Sequence, residues 1–238
     1  MPEFPIIIDT DPGIDDAFAI LLALASPEIE LQALTTVAGN VRLELTTLNA
    51  LKLCALAGRP DLPVYAGCQE PLARTLITGE VHGTTGMDGA DLPPPRAKAQ
   101  NPHAVDWLIE TLSAAAPGSQ TLIPIGPLTN IATALARKPG IAKALREVVI
   151  MGGATPRIGG NMSPYAEFNI FVDPEAAATV FASGLPITLV PLDLSHQCLL
   201  KGLSRLAHTS QSISTISFSG LASIPYPCEC NSAYTAQG

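Results

Sequence analysis

The chain has 238 residues, 47% hydrophobic and 14% charged, which supplies a sizeable core and excludes disorder for most of its length. Its formal net charge of −8 argues against nucleic acid or an anionic membrane as main partner, because both reward clustered Lys and Arg. A small neutral or cationic ligand, or a metal ion, suits it better.

In chain order, residues 6–8 form a short β-branched apolar run that ends at Asp9 before Pro12 and Gly13, the pattern of a buried strand. From Asp15 the period becomes helical, with Ala17, Ile20, Leu21 and Leu24 on one face until Ser26 and Pro27 stop it. A strand over 31–37, a helix over 43–57 ending at Gly58 and a short strand over 64–66 follow. Residues 67–101 carry frequent Gly, Pro and Thr with little period; a loop that long is usually functional. The periodicity then predicts helix 104–116, strand 121–125, helix 128–137, strand 147–151, an irregular stretch over 154–169, helix 174–183 and strand 187–192. Six apolar strands mostly separated by amphipathic helices imply an α/β fold, a mostly parallel open sheet with helices on both faces. After about Leu203 the chain turns Ser-rich and nearly uncharged, so the expected division is a domain over 1–209 and a poorly ordered tail over 210–238.

No apolar run reaches the roughly 18 residues of a membrane span, and MPEFPIIID lacks the regions of a signal peptide. The cysteines, Cys54, Cys68, Cys198, Cys228 and Cys230, show no zinc-like spacing and read as reduced thiols. The expected location is the cytoplasm.

The most informative segment is DTDPGIDD, residues 9–16, with four carboxylates where a strand gives way to a helix. Ligands of parallel α/β sheets bind off the carboxyl ends of the strands, where this loop falls. Two anions about 5 Å apart repel by roughly 3 kcal/mol at an effective dielectric of 20. Such crowding calls for a cation or for acids that stay protonated, and carboxylate oxygens favour Ca²⁺ or Mg²⁺. Simple helix capping by Asp15 and Asp16 accounts for single acids but not for four together. An EF-hand fails, because no bidentate Glu follows at the proper distance and Pro12 interrupts the spacing. A haloacid-dehalogenase-type phosphotransferase also starts with D-x-D, but Gly13 stands where that pattern has Thr or Val, and no convincing later Lys and Asp motifs follow.

DTDPGIDDA (9–17) resembles the N-terminal signature of the inosine–uridine-preferring nucleoside hydrolases. The likeness continues in order through TTVAGN (35–40), VHGTTGMDG (81–89), PIGPLTNIA (124–132), VVIMGGA (148–154), NMSPYAEFNIFVDPEAA (161–177) and LDLSH (192–196), from about Pro5 to Leu200. The resemblance implies a Rossmann-like nucleoside hydrolase fold and hydrolysis of the bond between ribose and base. It implies Ca²⁺ held by Asp11, Asp16 and the backbone carbonyl of Ile125, with Asp11 also the general base toward a metal-bound water. Asp15 and Asn169 would bind ribose hydroxyls, and Asn161 and Glu167 the region of the 5′-hydroxyl. Asn40 and the Met151 backbone would complete the sugar pocket, His82 would lie near the base, and Asp9 would support the cluster from outside the metal shell. The implied partner is a ribonucleoside in a homo-oligomer, dimer or tetramer. Of the other histidines, His196 reads as structural and His103 as a solvated helix opener.

Two features depart from the family pattern. Relatives continue past the Ser-rich point with a His-Asp-Pro motif, whose Asp ligates calcium and whose His protonates the departing base in many members. No His-Asp pair occurs here; the last histidine, His208, precedes Thr209, so the C-terminal part of the fold is expected to be missing. Thr84 stands where relatives often carry an acid. Two functions follow as expectations: a working N-ribohydrolase, or a catalytically impaired relative that binds only metal and ribose.

Overall fold

The structure is a computed structural model and describes residues 4–198. Six strands form one sheet in the order β3-β2-β1-β4-β5-β6: β1 (Phe4–Thr10), β2 (Ile29–Thr36), β3 (Val64–Ala66), β4 (Gln120–Pro124), β5 (Leu145–Met151) and β6 (Ile187–Val190). Every pairing is parallel. All six predicted strands are present, and the sheet is the open parallel α/β type expected. The order reverses between β1 and β4, so their carboxyl ends flank the crevice where such sheets bind ligands.

Alternation along β1 separates the two faces. Ile6 and Ile8 pack with Ile14, Ala17 and Ile20 of helix α1 (Ile14–Ala25) and with Ala50 and Leu53 of α2 (Leu43–Leu56). Ile7 faces the other way, into a cluster that includes Val105 and Leu108 of α3 (Ala104–Ala114) and Leu128 and Ile131 around the start of α4 (Thr129–Arg137). The period of two in a strand thus feeds two cores with one run of isoleucines. Cover thins toward β6, an edge strand on which Leu189 is 42% exposed.

The structure differs from the periodicity at short elements. A 3₁₀ helix spans Pro139–Ala144, and α5 (Phe168–Val172) breaks into the stretch expected to be irregular. Then comes α6 (Pro174–Phe181). The last strand stops at Val190, because Pro191 has no N–H to extend a ladder, and α7 (Leu192–Ser195) follows. The 67–101 loop has no helix or strand of its own, and its end is tied to β3 where Gln100 donates to the Val64 carbonyl at 2.8 Å. His103 is exposed as expected and caps α3, its ring accepting from Val105 N–H. The 209/210 boundary, the Ser-rich tail, His208, Cys228 and Cys230 lie outside the described residues.

Asp173 locks the helical layer. Fully buried, it accepts from Ala176 N–H at the start of α6, from the Thr129 hydroxyl of α4 and from Leu72 N–H in the long loop. Replacing Asp173 by Ala strands three donors, one of them joined through a 101-residue separation. Urea unfolding of Asp173→Ala is expected to show a loss of about 2–4 kcal/mol, where an unchanged midpoint would mean these bonds are replaced by water at no cost.

Candidate active site

The carboxyl end of β1 carries Asp9, Thr10 and Asp11 straight into α1 through Pro12 and Gly13. Gly13 is the N-cap, and Asp16 in the first turn reaches back to accept its N–H at 2.9 Å while also accepting from the Thr10 hydroxyl at 2.7 Å. Asp15 and Asp16 both sit where the helix dipole favours negative charge. Helix geometry splits the two neighbours: Asp16 turns inward and is 5% exposed, whereas the Asp15 side chain is 59% exposed.

Asp11 is fully buried. Its Oδ2 accepts from Asn40 N–H at 2.6 Å, and the Asn40 amide returns a bond to the Asp11 carbonyl. Its Oδ1 is buried with no hydrogen-bond partner. Two glycines clear the room it occupies. A Cβ at Gly39 would lie 2.1 Å from Oδ2 and one at Gly126 would lie 2.5 Å from Oδ1, closer than any side chain tolerates.

Burial raises all three inner acids. Asp9 is pushed up to about 7 by desolvation, against bonds from the Thr35 hydroxyl and the Asn130 amide that favour its charge. Asp16 is pushed up to about 8 by desolvation and then by the Asp15 charge. Asp11 is raised by desolvation and then by Asp16. Among the described residues no three or more His, Cys, Asp or Glu side chains converge as a metal cage. Any cation here takes part of its shell from backbone carbonyls, water or ligand.

Of the residues expected at the site, the fold gathers most. Ile125 follows β4 and Met151 ends β5, and the buried Asn169 donates through Nδ2 to both carbonyls, at 3.0 and 3.2 Å. His82 comes from the long loop to lie 3.3 Å from Asp15 through Nε2. Glu167 is buried but caps α5, its carboxylate accepting from Gly153, Asn169 and Ile170 N–H groups. It still senses the Asp15 charge, after desolvation and these bonds. Asn161 is the exception: it is exposed, and no described hydrogen bond joins its side chain to the others.

Sequence reasoning assigned no role to Asn130. Fully buried at the start of α4, it donates to Asp9 and to the Thr36 carbonyl and accepts from Cys68 N–H. It lies within the PIGPLTNIA block, the signal that could have found it. Asn49 on α2 was missed too, because a lone Asn inside a helical run has no distinguishing pattern.

The family model described as inosine-uridine preferring nucleoside hydrolase matches residues 6–228. The pyrimidine-specific ribonucleoside hydrolase RihA of Photobacterium profundum is 50% identical over 194 residues, 81% of this chain and 62% of that protein. A plant nucleoside hydrolase structure aligns with TM-score 0.75 and 42% identity, over 82% of this chain and 62% of that one. The purine-preferring ribonucleoside hydrolase from Gardnerella vaginalis aligns with TM-score 0.78 and 37% identity, over 83% and 63%. The chain spans about 62% of the length of the curated relatives it matches.

The raised acids set a pH dependence. An acid whose folded pKa exceeds its ordinary value of 3.8 holds its proton more tightly folded than unfolded. That contribution is whole below the unfolded value and is lost as pH rises through about 7 to 8. Chelator-treated protein is therefore expected to melt lower at about pH 9 than at about pH 5.5, and Asp16→Asn to flatten the slope. A melting temperature that rises steadily over that range would contradict the burial of these acids.

Proposed function

Because the chain belongs to the inosine-uridine preferring nucleoside hydrolase family, we propose that it hydrolyses the N-glycosidic bond of ribonucleosides to ribose and free base. The observation that carries this reading is Asp11 Oδ1, a buried carboxylate oxygen without a donor, in glycine-cleared space at the switch point of the sheet.

The donor set fits a hard divalent cation, which we take to be Ca²⁺, held by Asp11, Asp16 and the Ile125 carbonyl. Bound there, the cation supplies positive charge that offsets the crowded acids and acidifies nearby water. Asp11 acts as general base. Water adds its oxygen to C1′ of the ribose, its proton passes to Asp11 Oδ1, and the C–N electron pair leaves with the base. The surrounding acids favour the cation-like sugar that develops as this bond opens.

Orientation comes from the rim. Asp15 accepts from ribose hydroxyls, and Asn169, with its Nδ2 on two carbonyls, presents its own oxygen to the sugar. Asn40 and the Met151 backbone close the sides, and His82 lies toward the base. Glu167 serves the 5′ end, and Asn161 would have to swing in from its exposed loop to join it. Asp9 stands behind the cluster, its Oδ1 bonded to Thr35 and Asn130 and its Oδ2 buried without a partner. Relatives named pyrimidine-specific make uridine the first substrate to try, with inosine beside it. The setting we propose is the cytoplasm, with Cys54 and Cys68 as free thiols, and a homo-oligomer, dimer or tetramer. No helix among the described residues is long and apolar enough to cross a membrane.

The test is release of reducing sugar from uridine and inosine by the full chain. Release should stop with a chelator, and Asp11→Asn should lower kcat by about a thousandfold. Calorimetric binding of ribose and Ca²⁺ without any release would instead favour the impaired relative, and neither binding nor release would reject the assignment.

A further inference from the structure

The 82–88 loop is docked on the β1–α1 turn by two clamps. Asn49, on α2 and 2% exposed, donates through Nδ2 to the Pro12 carbonyl at 3.2 Å and to the Thr85 carbonyl at 2.8 Å. Both protons of one buried amide therefore bridge the two backbone segments. Gly86 is required beside this bridge: its φ is +79°, and a Cβ there would come within 3.1 Å of Asn49 Nδ2. The loop is braced internally by Asp88, which accepts from the N–H and hydroxyl groups of both Thr84 and Thr85 and donates its own N–H to the His82 carbonyl at 3.2 Å.

The second clamp is His82 itself, 9% exposed, lying flat against Gly13. A Cβ at Gly13 would sit 2.6 Å from the ring, so the glycine is what lets the imidazole approach. Nδ1 accepts from Ile14 N–H at 3.4 Å, and Nε2 faces Asp15 Oδ1 at 3.3 Å. An accepting Nδ1 puts the proton of the neutral ring on Nε2, the nitrogen that lies 3.3 Å from the Asp15 carboxylate. The exposed carboxylate thereby gains one fixed partner on an otherwise open rim.

We propose that Asn49 is a positioning residue for substrate binding: by joining Pro12 to Thr85 it seats the loop so that His82 Nε2–H holds Asp15 in its ribose-accepting orientation. This rests on the reading of Asp15 as the sugar acceptor. Asn49 touches no substrate and acts only through His82. Its removal weakens sugar binding without altering proton transfer at Asp11.

The experiment compares the full chain with Asn49→Leu, His82→Leu, His82→Gln and the Asn49→Leu/His82→Leu double variant. Steady-state hydrolysis of uridine is measured together with ¹⁵N NMR of the His82 ring. Asn49→Leu and His82→Leu should each raise KM roughly tenfold with kcat changed less than about threefold, as expected for lost uniform binding. The double variant should be no worse than the worse single one. Gln carries an acceptor and a donor across one carbon, as the neutral imidazole does, so His82→Gln should recover most of the KM. The spectrum should show a proton on Nε2 and a bare Nδ1 in the unmodified chain, and tautomer exchange in Asn49→Leu. Additive effects, equal losses in the Leu and Gln variants, or a proton on Nδ1 in the unmodified chain would each overturn the proposal. If the unmodified chain hydrolyses nothing, the enzymatic reading fails, and the tautomer with its response to Asn49→Leu still decides the clamp.

Discussion

Three carboxylates held out of water at the end of one strand are the constraint around which the rest of the structure is arranged. Asp9, Asp11 and Asp16 are buried, and each is pushed toward its neutral form by the loss of solvent. A fold selected for stability alone would place apolar groups there, since desolvating an acid without full pairing is unfavourable. The surroundings relieve the cost unevenly. Asp16 receives a hydroxyl and an amide, and Asp11 receives one amide on one oxygen only. What is left over is a concentrated demand for positive charge, directed at the switch point of the sheet.

The site has two storeys with different physics. Beneath lies a dry network in which Asn130 joins Asp9 on β1, the Thr36 carbonyl on β2 and Cys68 N–H at the start of the long loop. These bonds tie the start of α4 to two strands and to the long loop, and low polarity strengthens each of them. Above lies a wetter rim, where His82 from the long loop meets Asp15 on the first turn of α1. The lower storey holds the acids in place, and the upper one is shaped by a loop docked through Asn49. Glycines mark the join: Gly13, Gly39 and Gly126 stand where a single methyl would push into His82 or Asp11.

How far the sequence was legible depended on the range of the cause. Strand and helix periods are local, so all six strands and the longer helices could be read from spacing. Short elements were missed because their causes are tertiary: α5 starts where Glu167 gathers three backbone donors, one of them Gly153 from the end of β5. Asn161 and Glu167 shared one motif block, yet one is exposed on its loop and the other buried as a cap.

The sequence by itself determined the alternating α/β pattern, the crowding of acids behind the first strand and the family blocks in order, because all of these are carried by neighbours along the chain. Only the tertiary structure decided that β4 lies beside β1, which bonds Ile125 N–H to the Asp9 carbonyl and sets Gly126 against Asp11, and that His82 reaches Asp15 across 67 positions of chain. It also decided which of two adjacent acids faces inward. Strand order, burial and desolvation arise from contacts between distant segments, and no local period encodes them.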